Sequence, residues 1–491
     1  MTQTVITSSS SASDSQLFTT RPAWRFFGVC LLLALMIVSI TLLRSINLPL
    51  FAPQETFVGW WLVSFAPYLV CCLFILRTRP QTGRWRLLEV GVILLGAFVL
   101  RTIFLSTAPG LSRDAWRYLW DARVTLHGFS PYAYVPDDPL LVPLHDTLVY
   151  GHMDYHTVPT LYPPVAQAIY LLSYLLAPSN IYVLKGIFAL FDMVTCVVLA
   201  LLLHRKGLDP SRCLLYAWCP LPLVEFTIQG HIDVVMLTFT VLMIFTASSN
   251  SRRGRILTGF LLGLATLTKL YPLIFLLVVF RRRDYALLVT CIITIIVGYL
   301  PYFLLGHGQV FGFFSTYINQ HGGNAGPVLL VLQWLGDTLG INSGVTSLLE
   351  RGFDLLLIGC VALGVLRLRW REQLSMEAAL LILIGTFFAI SSFVYPWYVA
   401  VFLPWVALLI GPQWLSTGKG VRHVNTQNLV LFALWYFVCI TPIDYFFLGK
   451  SNWSLYYILT YCTVGALLSG AVIMTVGRWH KLRGDREGLP M

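Results

Sequence analysis

Asp114 and Asp121 stand among Arg113, Arg117 and Arg123 in the stretch SRDAWRYLWDARVTLHG, directly after a strongly apolar run. These residue types can do one kind of chemistry well. A carboxylate held beside a hydroxyl takes its proton as the hydroxyl attacks, and a nearby cation steadies an anionic leaving group such as a phosphate. Asp114, Arg117 and Asp121 lie at i, i+3 and i+7, so they share one face of a helix. The competing reading is a ladder of ion pairs on a solvated face, contributing only a few tenths of a kcal/mol each, on the order of 0.2–0.5. The spacing is compatible with both.

Other polar groups stand out along the chain. VEFTIQGHIDVV, residues 224–235, places Glu225, Gln229, His231 and Asp233 where two apolar runs meet, and Gly230 permits a tight reversal. Such residues are costly in lipid and should face protein or a water-filled cavity. Lys269 sits between short apolar runs in ATLTKLYPL, where it can snorkel or hold a lipid phosphate as a point charge. HMDYH, residues 152–156, would align His152, Asp154 and His156 on one side of an extended segment. The following residues complete no metal-ligand pattern, so a loop touching sugar or phosphate is expected there, with no metal. Lys185 and Asp192, about two turns apart on one apolar run, are expected to pair internally.

The elements that position these groups are membrane helices. Of 491 residues, 57% are hydrophobic and 11% charged, and the mean hydropathy is +0.75. The class is therefore a polytopic all-α membrane protein. Apolar runs fall at 26–43, 57–76, 87–105, 181–203, 213–228, 232–249, 256–268, 271–281, 285–305, 345–366, 377–394, 397–411, 428–446 and 454–476. Several are shorter than the ~20 residues of a perpendicular crossing, which gives an expectation of about 12–14 transmembrane helices. The first run follows a Ser/Thr-rich tail without a small-residue cleavage site, so it reads as a retained span. The Cys residues lie mostly in apolar runs with no CxxC pair, which argues against a disulfide or metal framework.

The formal net charge of +11 does not point to nucleic acid, because its distribution is that of membrane topology. Arg77, Arg79, Arg84 and Arg86, then Arg205, Lys206 and Arg212, then Arg252, Arg253 and Arg255, then Arg281, Arg282 and Arg283, then Arg367, Arg369 and Arg371, and finally Arg478, Lys481, Arg483 and Arg486 all fit on one side, the cytoplasmic one. The long loop from Ser106 to Asn180 is then extracytoplasmic, together with His127, His145, His152, His156, His231, His307 and His321. Loops of that length usually carry function.

Within the loop, Ser112 can cap a helix that has Asp114 in its first turn and ends at Gly128. Trp116, Leu119, Trp120 and Val124 give it an apolar face, so it is expected to lie on the outer membrane surface. LYPPVAQAIYLLSYLLAP, residues 161–178, reads as a second surface or half-inserted helix.

Taken in order, RDAWRYLWDARVTLHGFSPYAYVPDDP, HTVPTLYPPVAQAIY, LKGIFALFDM, LYAWCPLPLVEFTIQGHID and LGLATLTKLYPLIFLLVVF resemble the bacterial GT-C glycosyltransferases, and within them the polyprenol-phosphate-mannose-dependent mannosyltransferases. The resemblance runs from about residue 87 to 330. It implies a GT-C-type bundle with amphipathic juxtamembrane helices in a large outer loop, a catalytic aspartate opening that loop at Asp114, and a polyprenyl-phosphate sugar as donor. The family's Trp-Asp-Gly is here Trp120, Asp121 and Ala122, which loosens the analogy at that turn. Residues 1–86, a tail and two helices, precede the module; residues 331–491 follow it.

The expected function is inverting transfer of a hexose, mannose by resemblance, from a polyprenyl phosphate to a glycolipid or glycan hydroxyl of the cell envelope. The bacterial plasma membrane is the expected location. Asp114 is the expected base, with Asp121 orienting the acceptor or Arg117. Arg117 and Lys269 are candidates for the donor phosphate, and His156, Tyr162, His231 and Asp233 for substrate contacts. No cofactor is expected beyond the lipid-linked donor. A lipid or glycan flippase and a glycan polymerase or ligase are the alternatives; the absence of an internal repeat and the crowding of charge in one outer loop weigh against a transporter. The topology is checked by inserting epitope tags. A tag at Asp138 should be reachable from outside the cell and one at Arg282 only after permeabilisation; the reverse pattern would move the site to the cytoplasm.

Overall fold

Apolar runs in a bilayer become helices because each N–H and C=O must be satisfied within its own segment. The computed structural model describes residues 22–47, 54–317, 320, 322–411, 415–418, 421–424, 426–448, 450 and 452–487. The Ser/Thr-rich tail and His321 lie outside them. The described chain is all-α apart from one short hairpin that pairs Leu415–Gly418 with Val421–Val424.

Among the described residues, seven helices are long and apolar enough to cross a membrane: Ala23–Ile46, Glu55–Arg77, Gly83–Leu105, Ile181–Arg205, Tyr285–Leu305, Asn428–Phe446 and Ser454–Thr475. Shorter apolar helices, among them Pro164–Leu176, Asp233–Ala247 and Met376–Ala389, complete the bundle. The chain is an integral membrane protein. Several apolar runs break rather than cross. Residues 213–228 split at Pro220 and Pro222 into short helical pieces and a π-helical turn, Leu223–Ile228. Residues 271–281 form a 3-10 turn, Tyr271–Phe275, followed by Leu276–Val279. Helix Ser343–Trp370 is 28 residues long but carries Glu350, Arg351 and Asp354 in its apolar part.

The first six α-helices can be labelled α1 (Pro22–Asn47), α2 (Gln54–Arg77), α3 (Gly83–Leu105), α4 (Asp114–Leu126), α5 (Pro164–Leu176) and α6 (Ile181–Arg205). The buried polar residues tie them together. Arg101 of α3 donates to Asp192 of α6 at 2.8 Å and to the carbonyls of Ala97 and Ala217, while the Tyr216 hydroxyl donates to the other Asp192 oxygen at 2.5 Å. α2 is a brace: its Trp61 and Tyr68 donate to the Pro220 and Leu215 carbonyls, and Trp435 donates to Tyr68. At the far end, Arg25 of α1 bridges Glu89 of α3 and Asp209. Lys206 meets Glu377, and Arg255 meets Asp284. Members of the basic clusters thus meet acidic partners from distant parts of the sequence.

Three expectations change. Lys185 does not pair with Asp192. Arg101 holds the aspartate, and the Lys185 ammonium donates to the carbonyls of Leu105 and Thr107. α4 forms where expected and ends at His127, with Gly128 at φ +82°. It is sunk into protein, though, rather than laid on the bilayer with one wet face. Arg117, Tyr118, Leu119, Trp120, Asp121 and Arg123 are all buried, and Tyr118 stacks on Tyr170 of α5 with 4.3 Å between ring centres. HMDYH is not extended. It runs through a 3-10 turn and a positive φ at Tyr155. His152 bonds the Leu148 carbonyl, Asp154 pairs with Arg113, and His156 bonds the Met153 carbonyl.

Candidate active site

Asp114 is the first residue of α4, where a carboxylate is favoured by the positive end of the helix dipole. The chain leading to it is fixed from an unexpected direction. The side-chain oxygen of Gln229 accepts from three successive backbone amides, those of Gly110, Leu111 and Ser112, at 3.1, 2.9 and 3.3 Å. Ser112 does not cap the helix in the usual way; its hydroxyl accepts from the Asp114 amide itself. Gln229 can reach because the π-helical turn before it shifts the register, its own amide bonding back to the Val224 carbonyl. Such bulges recur at functional sites. Gly230 follows at φ +75°, and a Cβ there would lie 3.3 Å from Lys185 and 3.4 Å from Ala115. The conformation and the space both call for glycine.

The carboxylate of Asp114 faces Tyr162, whose hydroxyl donates at 3.3 Å, and His231, whose Nδ1 is 3.7 Å away. His231 is buried between Asp114 and Glu225, its Nε2 3.3 Å from the Glu225 carboxylate; that carboxylate accepts a hydrogen bond from the Tyr445 hydroxyl. Its ring stacks on Trp397 at 3.8 Å, Trp397 on Tyr395 at 4.4 Å, and Tyr395 on Phe393 at 5.6 Å. Lys269, eleven per cent exposed, lies 3.4 Å from Asp233 and over the rings of Tyr398 and Tyr162.

Two cavities meet here. One, about 460 Å³, is lined by Asp114, Arg113, Arg117, Tyr162, Tyr395 and Trp397 among others. The other, about 520 Å³ and mostly apolar, is lined by Lys269, Tyr271, Leu329, Phe387 and Phe388 among others. Leu161, Tyr317 and Tyr398 belong to both. They form a shared wall in which the two tyrosine hydroxyls lie 3.1 Å apart. Asp114 is on one side of that wall and Lys269 on the other.

The remaining residues singled out in the sequence divide as follows. Arg117 borders the polar cavity but its nitrogens are engaged, donating to Asp121 and to the carbonyls of Tyr155 and Val158. Asp121 is fully buried, held by Arg117 and Gln167, and reaches neither cavity. His156 also stays away from both, its Nδ1 3.5 Å from Asp137. His231 and Asp233 border neither cavity. They stand behind Asp114 and Lys269, because unpaired buried charges are costly and these are their partners. Gln229 as a positioning group, and Tyr317, Tyr395, Trp397 and Tyr398, are not among the residues expected from the sequence. The available signal was VYPWY, residues 394–398, a proline-framed aromatic cluster between two apolar runs.

Burial pushes the Asp114 carboxyl up to about 6, with Asp233 and Asp154 acting in the same direction and Lys269 and the Tyr162 hydrogen bond opposing. The group is a quarter exposed, on the cavity side. A carboxyl tuned this way is a better proton acceptor near neutral pH than an ordinary aspartate.

Residues 160–396 match the model of glycosyltransferase family 87. The match supports a membrane glycosyltransferase. It covers Tyr162, Gln229, His231, Asp233 and Lys269 and begins after α4. The search of curated proteins finds no match. Among solved structures, the chain is similar to the crystal structure of ArnT from Cupriavidus metallidurans bound to undecaprenyl phosphate. The identity is 14%, over 81% of this chain and 76% of that one, with a TM-score of 0.42.

The Asp114 geometry yields a paired expectation. Asp114→Asn should lower sugar transfer by ~10²–10⁴-fold while leaving expression and melting temperature close to wild type. The working form is the carboxylate, so wild-type kcat/KM should climb as pH rises through about 6 and level off above it. Retention of more than about a third of the wild-type rate by Asp114→Asn, or a pH profile without that limb, would remove Asp114 as the base.

Proposed function

We propose that the protein is an inverting glycosyltransferase that moves a hexose from a polyprenyl phosphate to a hydroxyl of a glycolipid or glycan acceptor at the extracytoplasmic membrane face. The observation that carries this reading is the pair of cavities with one shared wall, a carboxylate on the polar side and a lysine on the apolar side. A polyprenyl donor cannot leave the bilayer, so its tail needs an apolar space and its phosphate a cation at the edge of that space. The acceptor is polar and needs a space open to water.

The step balances without a covalent enzyme intermediate. The acceptor oxygen attacks the anomeric carbon, and its proton goes to Asp114. The bond from that carbon to the phosphate oxygen breaks, and the electron pair stays on the phosphate. One displacement gives inversion. Tyr162 and Gln229 keep the carboxylate aimed, directly and through the backbone respectively. Lys269 steadies the departing phosphate in a site shielded by Tyr162 and Tyr398, where such charge stabilisation is stronger than in water. The mannose assignment rests on sequence resemblance alone, and no step as drawn uses a metal.

The test is incubation of the purified protein, in lipid nanodiscs, with radiolabelled polyprenyl-phosphate mannose and a lipid extract. Label should move to a new lipid or glycan, and should do so in the presence of a chelator. Parallel reactions with polyprenyl-phosphate glucose read the sugar preference. Movement of intact donor across the membrane without transfer would instead support the flippase reading. Lys269→Ala should weaken donor binding by about one to two decades, the scale of a lost charged hydrogen bond. It also strands Asp233 in the interior, so Lys269→Ala/Asp233→Asn should recover stability without recovering donor affinity. Unchanged donor affinity in both variants would place the phosphate elsewhere.

A further inference from the structure

The apolar cavity holds a second group of charges that the scheme above does not use. Ser347, Glu350, Arg351 and Asp354 of helix Ser343–Trp370 all border it, as does Lys269. Charged side chains within an apolar helix are costly and face a partner or a cavity. Glu350 precedes the cation in sequence and is buried. Asp354 is one helical turn beyond, at i+3, with its Oδ1 lacking a hydrogen-bond partner among the described residues. Arg351 itself is exposed and donates no hydrogen bond among the described residues. A rise of 1.5 Å per residue puts it roughly 12 Å along the helix from Ser343.

The charge balance of the reaction calls for such a group. A polyprenyl-phosphate sugar is a phosphodiester with one negative charge. The product is a phosphomonoester that carries about −1.5 to −2 near pH 7. Charge therefore grows on the phosphate as the bond breaks. Lys269 is already partly compensated by Asp233 at 3.4 Å, so it is matched to the donor better than to the product. Arg351 offers a planar fork suited to a phosphate with two or three free oxygens.

We propose that Arg351 is a second phosphate-binding cation of the apolar cavity, engaging the leaving phosphate more strongly in the transition state and product than in the donor. The inference rests on the transfer reaction proposed above.

The experiment uses full-length protein in nanodiscs, with Arg351→Met and Arg351→Lys compared to wild type. Direct binding is measured with a short-chain polyprenyl phosphate and with the uncharged polyprenol of the same length. Turnover is measured with the sugar-loaded donor. Arg351→Met should bind polyprenyl phosphate about one to two decades more weakly and polyprenol unchanged. Its KM for donor should shift less than its product affinity, and kcat should fall. Arg351→Lys should recover part of the product affinity. Normal polyprenyl phosphate affinity in Arg351→Met overturns the inference, and so does an equal loss for phosphate and polyprenol accompanied by a lower melting temperature, which marks a structural role. If wild type binds the phosphate in an Arg351-dependent way yet transfers no sugar, the transferase reading fails while the phosphate site stands.

Discussion

Three backbone amides converging on the side-chain oxygen of Gln229 are the contact on which the rest of the site depends. They are the amides of Gly110, Leu111 and Ser112, and only Arg113 separates them from Asp114. Without that acceptor the three amides, which line the polar cavity, would turn to water, and the backbone leading into α4 would lose the contact that holds it to the 224–235 segment. The contact fixes where α4 begins, and therefore where its first carboxylate points. It joins residues more than a hundred positions apart in sequence, and it is made from the same short turn that supplies Glu225 and His231. One irregular segment sets both the base and the groups behind it.

The polar interior is arranged in three tiers. Close to the cavities stand Asp114, Tyr162 and Lys269, each partly open to them. Behind these are groups that see no solvent: Glu225, His231 and Asp233. Burial together with the Lys269 charge holds the His231 imidazole well below its ordinary range, so the ring is neutral and polar without adding charge. Farther back, Arg101, Asp192 and Tyr216 tie α3, α6 and the broken segment after them into one unit. The same requirement governs each tier. A polar group taken out of water must find a partner, and the partners found here lock distant helices together.

Fold class and the outline of the site were legible in the sequence because both rest on local signals. Apolar runs and basic clusters read directly as helices and loops, and Asp114, Lys269 and the 224–235 segment stand out as polar groups in apolar surroundings. What could not be read depends on long-range pairing. Lys185 and Asp192 share a helix and looked like partners, yet Arg101 from another helix takes the aspartate. Asp114 and Asp121 look equivalent on a helical wheel, but Gln167 and Arg117 bury the second. α4 has the pattern of a surface helix, and only the loop after it and α5 cover its polar face. Arg351 stands with Glu350 and Asp354 in a long apolar helix, with no motif around them to mark a cavity.

The shared wall of Leu161, Tyr317 and Tyr398 bears on the order of events. Separate cavities on its two sides leave each substrate its own entrance, so on the proposed reading neither has to depart before the other arrives. Donor and acceptor then occupy the protein together, and a double-reciprocal plot against either one gives intersecting lines rather than the parallel lines of a ping-pong enzyme. A spent lipid carrier can also be exchanged through the bilayer side while a growing glycan stays in place on the other. Whether several sugars are added in one visit then depends on how long the glycan stays, which the polar cavity alone controls.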